Sequence, residues 1–165
     1  NFPAPILIVQ HMPKNFTKSF AKRLNSITKI EVKEAADNEI VEDGIAYIAP
    51  GNYHMTIDKK PHEKLMIKLN QDSLRCGVRP SVDTLFESAA KIYKENTIGV
   101  ILTGMGFDGK NGCKKIKEHN GTVIAQNEES SIIYGMPKKV IESGYADLVL
   151  NVNQIGKTLI DLIKV

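Results

Sequence analysis

Tryptophan is absent from this 165-residue chain, and aromatic residues make up only 6% of it. Nucleic-acid surfaces interleave aromatic rings with a basic stripe, and neither part of that pattern is present. The net charge of +3 arises from 22 basic and 19 acidic residues mixed along the sequence. Its Lys-Lys pairs at 59–60, 114–115 and 138–139 read as solvated turns and helix ends. Long hydrophobic runs are missing too, and no stretch approaches the roughly 18 residues of a membrane span. The opening Asn1-Phe2-Pro3-Ala4-Pro5 lacks the basic region of a secretory signal. Cysteine is scarce: Cys76 and Cys113 have no metal-like spacing and read as buried or incidental thiols of a reducing cytoplasm. These absences argue against nucleic-acid binding, membrane insertion, a disulfide scaffold and a metal centre, and they predict a cytoplasmic location.

What remains is an ordinary globular composition, 42% hydrophobic and 25% charged, enough for one domain with a sizeable core. An apolar strand at 6–10 precedes a helix with Phe16, Phe20, Leu24 and Ile27 on one face and Asn15 as its N-cap. A short strand follows at 30–33. Three strand-like runs at 45–49, 55–58 and 65–69, joined through Pro50-Gly51-Asn52 and Asp58-Lys59-Lys60-Pro61-His62, suggest an antiparallel hairpin or meander. From Pro80 the pattern alternates. Ser81 caps a helix with Val82, Leu85, Phe86, Ala89, Ile92 and Tyr93 on its core face, and a strand follows at 98–103. A helix from about 109 to 119 ends at Asn120-Gly121, and Gly121–Ala125 is a strand. Pro137 starts a short helix that Gly144 stops, Ala146–Leu150 is a strand, and Asn153 caps a last helix through Ile163. Such alternation predicts an α/β fold: a doubly wound, mostly parallel sheet with helices on both faces and an antiparallel hairpin insertion.

The most informative stretch is 98–112. Its apolar strand runs into Thr103 and four glycines, Gly104, Gly106, Gly109 and Gly112, surrounding one acid, Asp108. Turns at the carboxyl ends of buried parallel strands are where open α/β sheets place catalytic groups. His11, which ends the first apolar run, is the matching candidate, because an imidazole takes and returns a proton near neutrality. In that pairing Asp108 accepts the Nδ1 proton and fixes the histidine tautomer. Asp108 also reads as a helix N-cap. The glycines favour catalysis, since close backbone approach to a substrate needs them and a plain cap does not. A calcium loop fails because Lys110 occupies its second ligand position. Gly104-Met105-Gly106-Phe107-Asp108-Gly109 matches a dinucleotide fingerprint, although Asp108 would repel the pyrophosphate. Ser19, Ser26, Ser73, Ser81, Ser88, Ser130, Ser131 and Ser143 are the serines, and none lies in a Gly-x-Ser-x-Gly elbow. The chain thus carries a base and its orienter without a nucleophile.

Five motifs occur in order: Gln10-His11-Met12-Pro13 with Phe16; Ala49-Pro50-Gly51 with His54-Met55; Arg79-Pro80-Ser81-Val82-Asp83; Leu102-Thr103-Gly104-Met105-Gly106 with Asp108-Gly109; and Ala125-Gln126 with Gly135-Met136-Pro137. Together they closely resemble the catalytic domain of the bacterial protein-glutamate methylesterase family, along essentially the whole of residues 1–165. The resemblance implies hydrolysis of glutamate methyl esters on chemoreceptors by a Ser-His-Asp mechanism, with receptor glutamine deamidation in some members. His11 and Asp108 match its histidine and aspartate. Its serine lies in a Gly-Ala-Ser-Thr-Gly-Gly turn upstream of the Gln-His-Met-Pro strand, so the expectation is a chain beginning after that turn and after the receiver domain. The resemblance also implies Met105 in the oxyanion hole, with Gly104 and Gly106 letting substrate approach the main chain. Arg79 either lines the cleft, recognises acidic receptor surface, or forms a structural ion pair. No cofactor is implied. The expected partners are methylated chemoreceptor cytoplasmic helices and a phosphoacceptor receiver domain. Two other classes stay open, a catalytically inactive receptor-binding domain and a nucleotide-binding module.

Overall fold

A computed structural model describes residues 2–59 and 64–163. They form two compact units, Asn1–Leu85 and Phe86–Val165. Parallel sheets flanked by helices and one antiparallel hairpin make up the architecture, as the alternation predicts.

In the first unit, β1 (Ile6–Ile8), β2 (Glu31–Glu34) and β3 (Ile45–Ile48) form one parallel sheet in the order β1-β3-β2. Ala46 is level with Ile6 on one side and Val32 on the other. The 45–48 run therefore leaves the expected hairpin group and becomes a central strand. Its connection from β2, residues 35–44, contains no helix, and that spacing imitates a hairpin loop. Tyr47 anchors the connection from below. Its hydroxyl accepts from Glu42 N (3.0 Å) and donates to Ile40 O (3.2 Å). Only β4 (His54–Asp58) and β5 (Met66–Asn70) form the hairpin. The Lys60-Pro61-His62 part of its connection lies outside the described residues.

Helix α1 (Phe16–Ile27) packs Phe20, Ala21 and Leu24 over Val32, Ala46 and Ile48. The ends of its expected apolar stripe are exposed, Phe16 at 60% and Ile27 at 71%. Thr17 is fully buried instead: its hydroxyl donates to Glu34 Oε1 (2.6 Å) and accepts from Gly51 N (3.1 Å). Asn15 does occupy the N-cap position, but in a left-handed conformation (φ 77°) and without a side-chain capping bond. At the start of α2 (Val82–Tyr93), Ser81 Oγ stands 3.5 Å from Thr84 N, the geometry of a long cap.

The second unit contains β6 (Ile98–Ile101), α3 (Lys110–Glu118), β7 (Thr122–Gln126), α4 (Met136–Glu142), β8 (Leu148–Leu150) and α5 (Val152–Ile163). Its sheet is parallel in the order β6-β7-β8, and α3, α4 and α5 all pack against β7. Val123, Ile124, Ala125 and Gln126 are consecutive and all buried, so both faces of this central strand are covered. Helices α3 and α4 end alike. Gly121 N donates to Ile116 O and Asn120 N to Lys117 O, and Tyr145 N donates to Val140 O and Gly144 N to Ile141 O. These are Schellman closures with Asn120 (φ 63°) and Gly144 (φ 72°) left-handed. The cap of α5 is Asn151, not Asn153. Asn153 N donates to Asn151 Oδ1 and Asn151 N to Gln154 Oε1, both at 3.1 Å, a reciprocal capping box two residues earlier than the spacing suggests.

Candidate active site

Two loops carry the candidate groups, one in each unit. In the first unit His11 is exposed in the segment that follows the carboxyl end of β1. The turn at Pro50-Gly51-Asn52, following β3, packs directly on that segment. A Cβ on Gly51 would stand 2.6 Å from both the carbonyl carbon and the oxygen of Pro13, and 2.7 Å from Lys14 N. Only a glycine lets the two loops approach so closely. Asn52 continues the chain of contacts: its N donates to Arg79 O (3.2 Å), and its Oδ1 accepts from Arg79 Nη2 (2.8 Å). Arg79 Nη1 donates to Gln71 O (2.8 Å) and Asp72 O (2.7 Å). The guanidinium thus joins the 50–53 turn to residues 71–72 by backbone and amide acceptors. The ion pair considered for it does not form among the described residues. Three of the five motifs, around His11, Gly51 and Arg79, are parts of this one loop cluster.

In the second unit the glycine turn is built as the pattern suggests. Gly106 (φ 92°) and Gly109 (φ 94°) are left-handed, and the chain between them buries Asp108 to 3% exposure while leaving Met105 80% exposed. Gly109, not Asp108, occupies the N-cap position of α3, and Cys113 N donates to Gly109 O at 2.8 Å. Asp108 sits one residue outside that position. Gly104, Met105, Gly106 and Asp108 are therefore brought together on one turn.

Polar groups of the fourth and fifth motifs, together with Ser130, hold this turn. Gln126, buried at the end of β7, accepts from Thr103 N at 2.7 Å through Oε1. Its Nε2 donates to Ser130 O (2.7 Å) and Ser130 Oγ (3.2 Å), and Ser130 Oγ also accepts from Val152 N (3.1 Å). Thr103 Oγ1 donates to Ile133 O (3.1 Å) and accepts from Ile133 N (2.8 Å). Tyr134 pairs with Gly104 in an isolated parallel bridge, and burial, followed by the nearby Glu128 and Glu142 charges, pushes its phenol above the ordinary 10.0. One signal pointed to this network, an amide side chain closing an otherwise apolar, fully buried strand.

The comparisons with known proteins bear on what these loops are. A family model described as CheB methylesterase matches residues 1–159. The chain belongs to the CheB methylesterase family. It is 51% identical over 163 residues to a protein-glutamate methylesterase/protein-glutamine glutaminase of Thermotoga maritima, covering 99% of this chain and 47% of the relative. A relative with the same name in Pyrococcus abyssi is 48% identical over 160 residues, covering 97% and 43%. The chain thus spans about half the length of the curated relatives it matches. The crystal structure of the Thermotoga maritima CheB methylesterase catalytic domain superposes with a TM-score of 0.95 at 51% identity, over 98% of this chain and 85% of that one. The fold is that of this catalytic domain. No helix among the described residues is long and apolar enough to cross a membrane.

Proposed function

We propose that these residues form the larger part of a catalytic domain that hydrolyses glutamate methyl esters on chemoreceptor cytoplasmic helices. The observation that carries the reading is the family match over residues 1–159, which contains both His11 and the buried Asp108 in its glycine turn. The nucleophile is a serine from outside these 165 residues, because none of the serines here lies in an exposed strand-to-helix elbow. His11 removes the proton from that serine as its oxygen attacks the ester carbonyl. Asp108 holds the imidazole in the useful tautomer and stabilises its cation. The Met105 amide donates to the oxyanion, with Gly104 and Gly106 providing the close main-chain approach. Collapse of the tetrahedral intermediate expels methanol, which carries the proton from His11. Water, deprotonated by His11, then attacks the acyl-enzyme and frees the glutamate carboxylate and the serine. A glutamine side chain enters the same sequence with ammonia as the leaving group. Arg79 serves by fixing the Asn52 turn beneath the His11 loop.

The relatives are about twice as long as this chain, which leaves room in them for a phosphoacceptor receiver domain, and action on receptor cytoplasmic helices is a cytoplasmic reaction. The test is methanol release from methylated receptor membranes by the full-length protein and its His11→Ala variant. Loss of at least a thousandfold in turnover is expected. Turnover that survives the substitution refutes the mechanism. A nucleotide-binding role for Gly104–Gly109 predicts saturable binding of a nucleotide, and this reading predicts none.

A further inference from the structure

The turn that carries Met105 is held by a network whose geometry dictates where the Met105 amide points. The Gly104 carbonyl accepts two hydrogen bonds, from Gly135 N (3.1 Å) and from Met136 N (2.8 Å), the first amide of α4. The Gly104–Met105 peptide is trans, and a trans peptide is planar with its C=O and N–H antiparallel. Pinning the carbonyl toward the start of α4 therefore aims the Met105 N–H the opposite way. That N–H has no hydrogen-bond partner among the described residues, and its residue is 80% exposed. The result is an oriented donor that no protein group uses.

The approach on the carbonyl side leaves no room for a side chain. A Cβ on Gly135 would lie 2.6 Å from Gly104 O, 3.1 Å from Gly106 N and 3.2 Å from Met105 Cα, all of them backbone atoms of the turn. The two segments are registered by Thr103, whose hydroxyl both donates to and accepts from the Ile133 backbone, while Gly104 N donates to Ile133 O at 3.0 Å. Gln126 fixes Thr103 from the sheet side.

We propose that Gly135 and Thr103 are positioning residues for ester hydrolysis: they hold the Gly104 carbonyl so that the Met105 amide meets the oxyanion of the transition state. This rests on the assignment of Met105 to the oxyanion hole. A donor that engages only the transition-state oxyanion changes kcat and leaves KM in place.

The experiment measures methanol release from methylated receptor membranes by the full-length protein and by Gly135→Ala, Thr103→Val, Thr103→Ser and His11→Ala variants. Gly135→Ala and Thr103→Val are expected to lower kcat about ten- to a hundredfold with KM within about twofold of wild type. Thr103→Ser keeps the hydroxyl and is expected to retain at least half of wild-type kcat. If Gly135→Ala fails to fold, the Thr103 pair decides alone, because Thr103 is exposed and its substitution leaves the core intact. The proposal is overturned if Thr103→Val keeps wild-type kcat, if KM rises while kcat holds, or if Thr103→Ser is as damaged as Thr103→Val. Undiminished turnover by His11→Ala would instead defeat the esterase mechanism on which the proposal rests.

Discussion

Replacing Gly51 by alanine tests whether the His11 loop must sit where the Pro50-Gly51-Asn52 turn places it. The added methyl would meet the Pro13 carbonyl carbon at 2.6 Å, and ordinary van der Waals contact begins at 3.4 Å. Relief requires the two loops to separate by about 0.8 Å, and the atoms in the way are backbone, so no side-chain rotation absorbs the motion. The Phe16 N to Pro13 O bond (3.2 Å) and the Gly51 N to Thr17 Oγ1 bond (3.1 Å) both span the shifted region. Overpacking of this kind costs about 1–3 kcal/mol of stability. A displacement approaching 1 Å at a catalytic base costs on the order of a hundredfold in rate. The full-length Gly51→Ala protein is therefore expected to stay folded, to melt a few degrees lower, and to release methanol about a hundredfold more slowly. Gly156→Ala is the control, since nothing among the described residues lies within 4 Å of its added Cβ. On the exposed side of α5 that change adds up to about 1 kcal/mol of stability without touching turnover. Gly51→Ala turnover within twofold of wild type would show that the loop tolerates displacement and that His11 is not the base.

Asp108→Asn should keep the fold and cut kcat by about 10⁴, because an amide in that position favours the wrong histidine tautomer, as a methanol-release assay would register. Tyr47→Phe removes the hydroxyl shared by Glu42 N and Ile40 O and should cost about 1–3 kcal/mol in urea unfolding. The same variant checks a pH effect. Burial pushes the Tyr47 phenol above its ordinary 10.0, so its contribution is complete below about pH 10 and is lost as pH rises through the folded-state value. Wild type should therefore lose more stability than Tyr47→Phe as pH rises above about 10. Lys33, raised first by its hydrogen bond with Glu39, acts with the same sign, and the part of its rise that comes from Tyr47 goes with the hydroxyl and adds to the difference. Asn151→Ala opens the capping box of α5 and should lower stability by about 1 kcal/mol in thermal melts, whereas Asn153→Ala should change it little.

The parts of the fold legible in sequence were those where period, punctuation and burial agreed. The alternating second half could be read nearly to the residue because its strands are apolar and its helices end at Asn120 and Gly144, residues that tolerate a left-handed backbone. The 45–48 strand reads as part of a hairpin group because β1, its neighbour on one side, lies far upstream and its connection from β2, its neighbour on the other, carries no helical signal. The capping asparagines divide: Asn15 stands at its N-cap position without a side-chain bond, and the cap of α5 is Asn151 instead of Asn153. Asn15 and Asn151 are the same residue type before a helix, yet Asn15 is left-handed with no side-chain bond while Asn151 Oδ1 accepts from Asn153 N, a difference the residue type does not show. At the site, the glycine turn and Asp108 stood out because no plain cap explains so many glycines. Arg79 reads in sequence as lining the cleft, meeting acidic receptor surface or pairing with an acid, whereas its two Nη atoms donate to carbonyl and amide oxygens. Gln126 stands in the fifth motif, but its part in holding the turn is not legible there, because a polar residue at a strand end is ordinary until its burial is known.

The Gln126 network has a consequence for hydrogen exchange. Loops beyond strand ends normally exchange their amides by small local openings. Here the amides of Thr103, Gly104, Ile133, Gly135, Met136 and Val152 are all engaged with groups on other segments of the second unit. Releasing any one of them by a local excursion strains the others. These amides should therefore exchange together, at rates tied to the opening of the β6-β7-β8 sheet. In the role proposed for Met105, the arrangement that meets the oxyanion is in that sense set when the chain folds, and little reorganisation is left for each turnover.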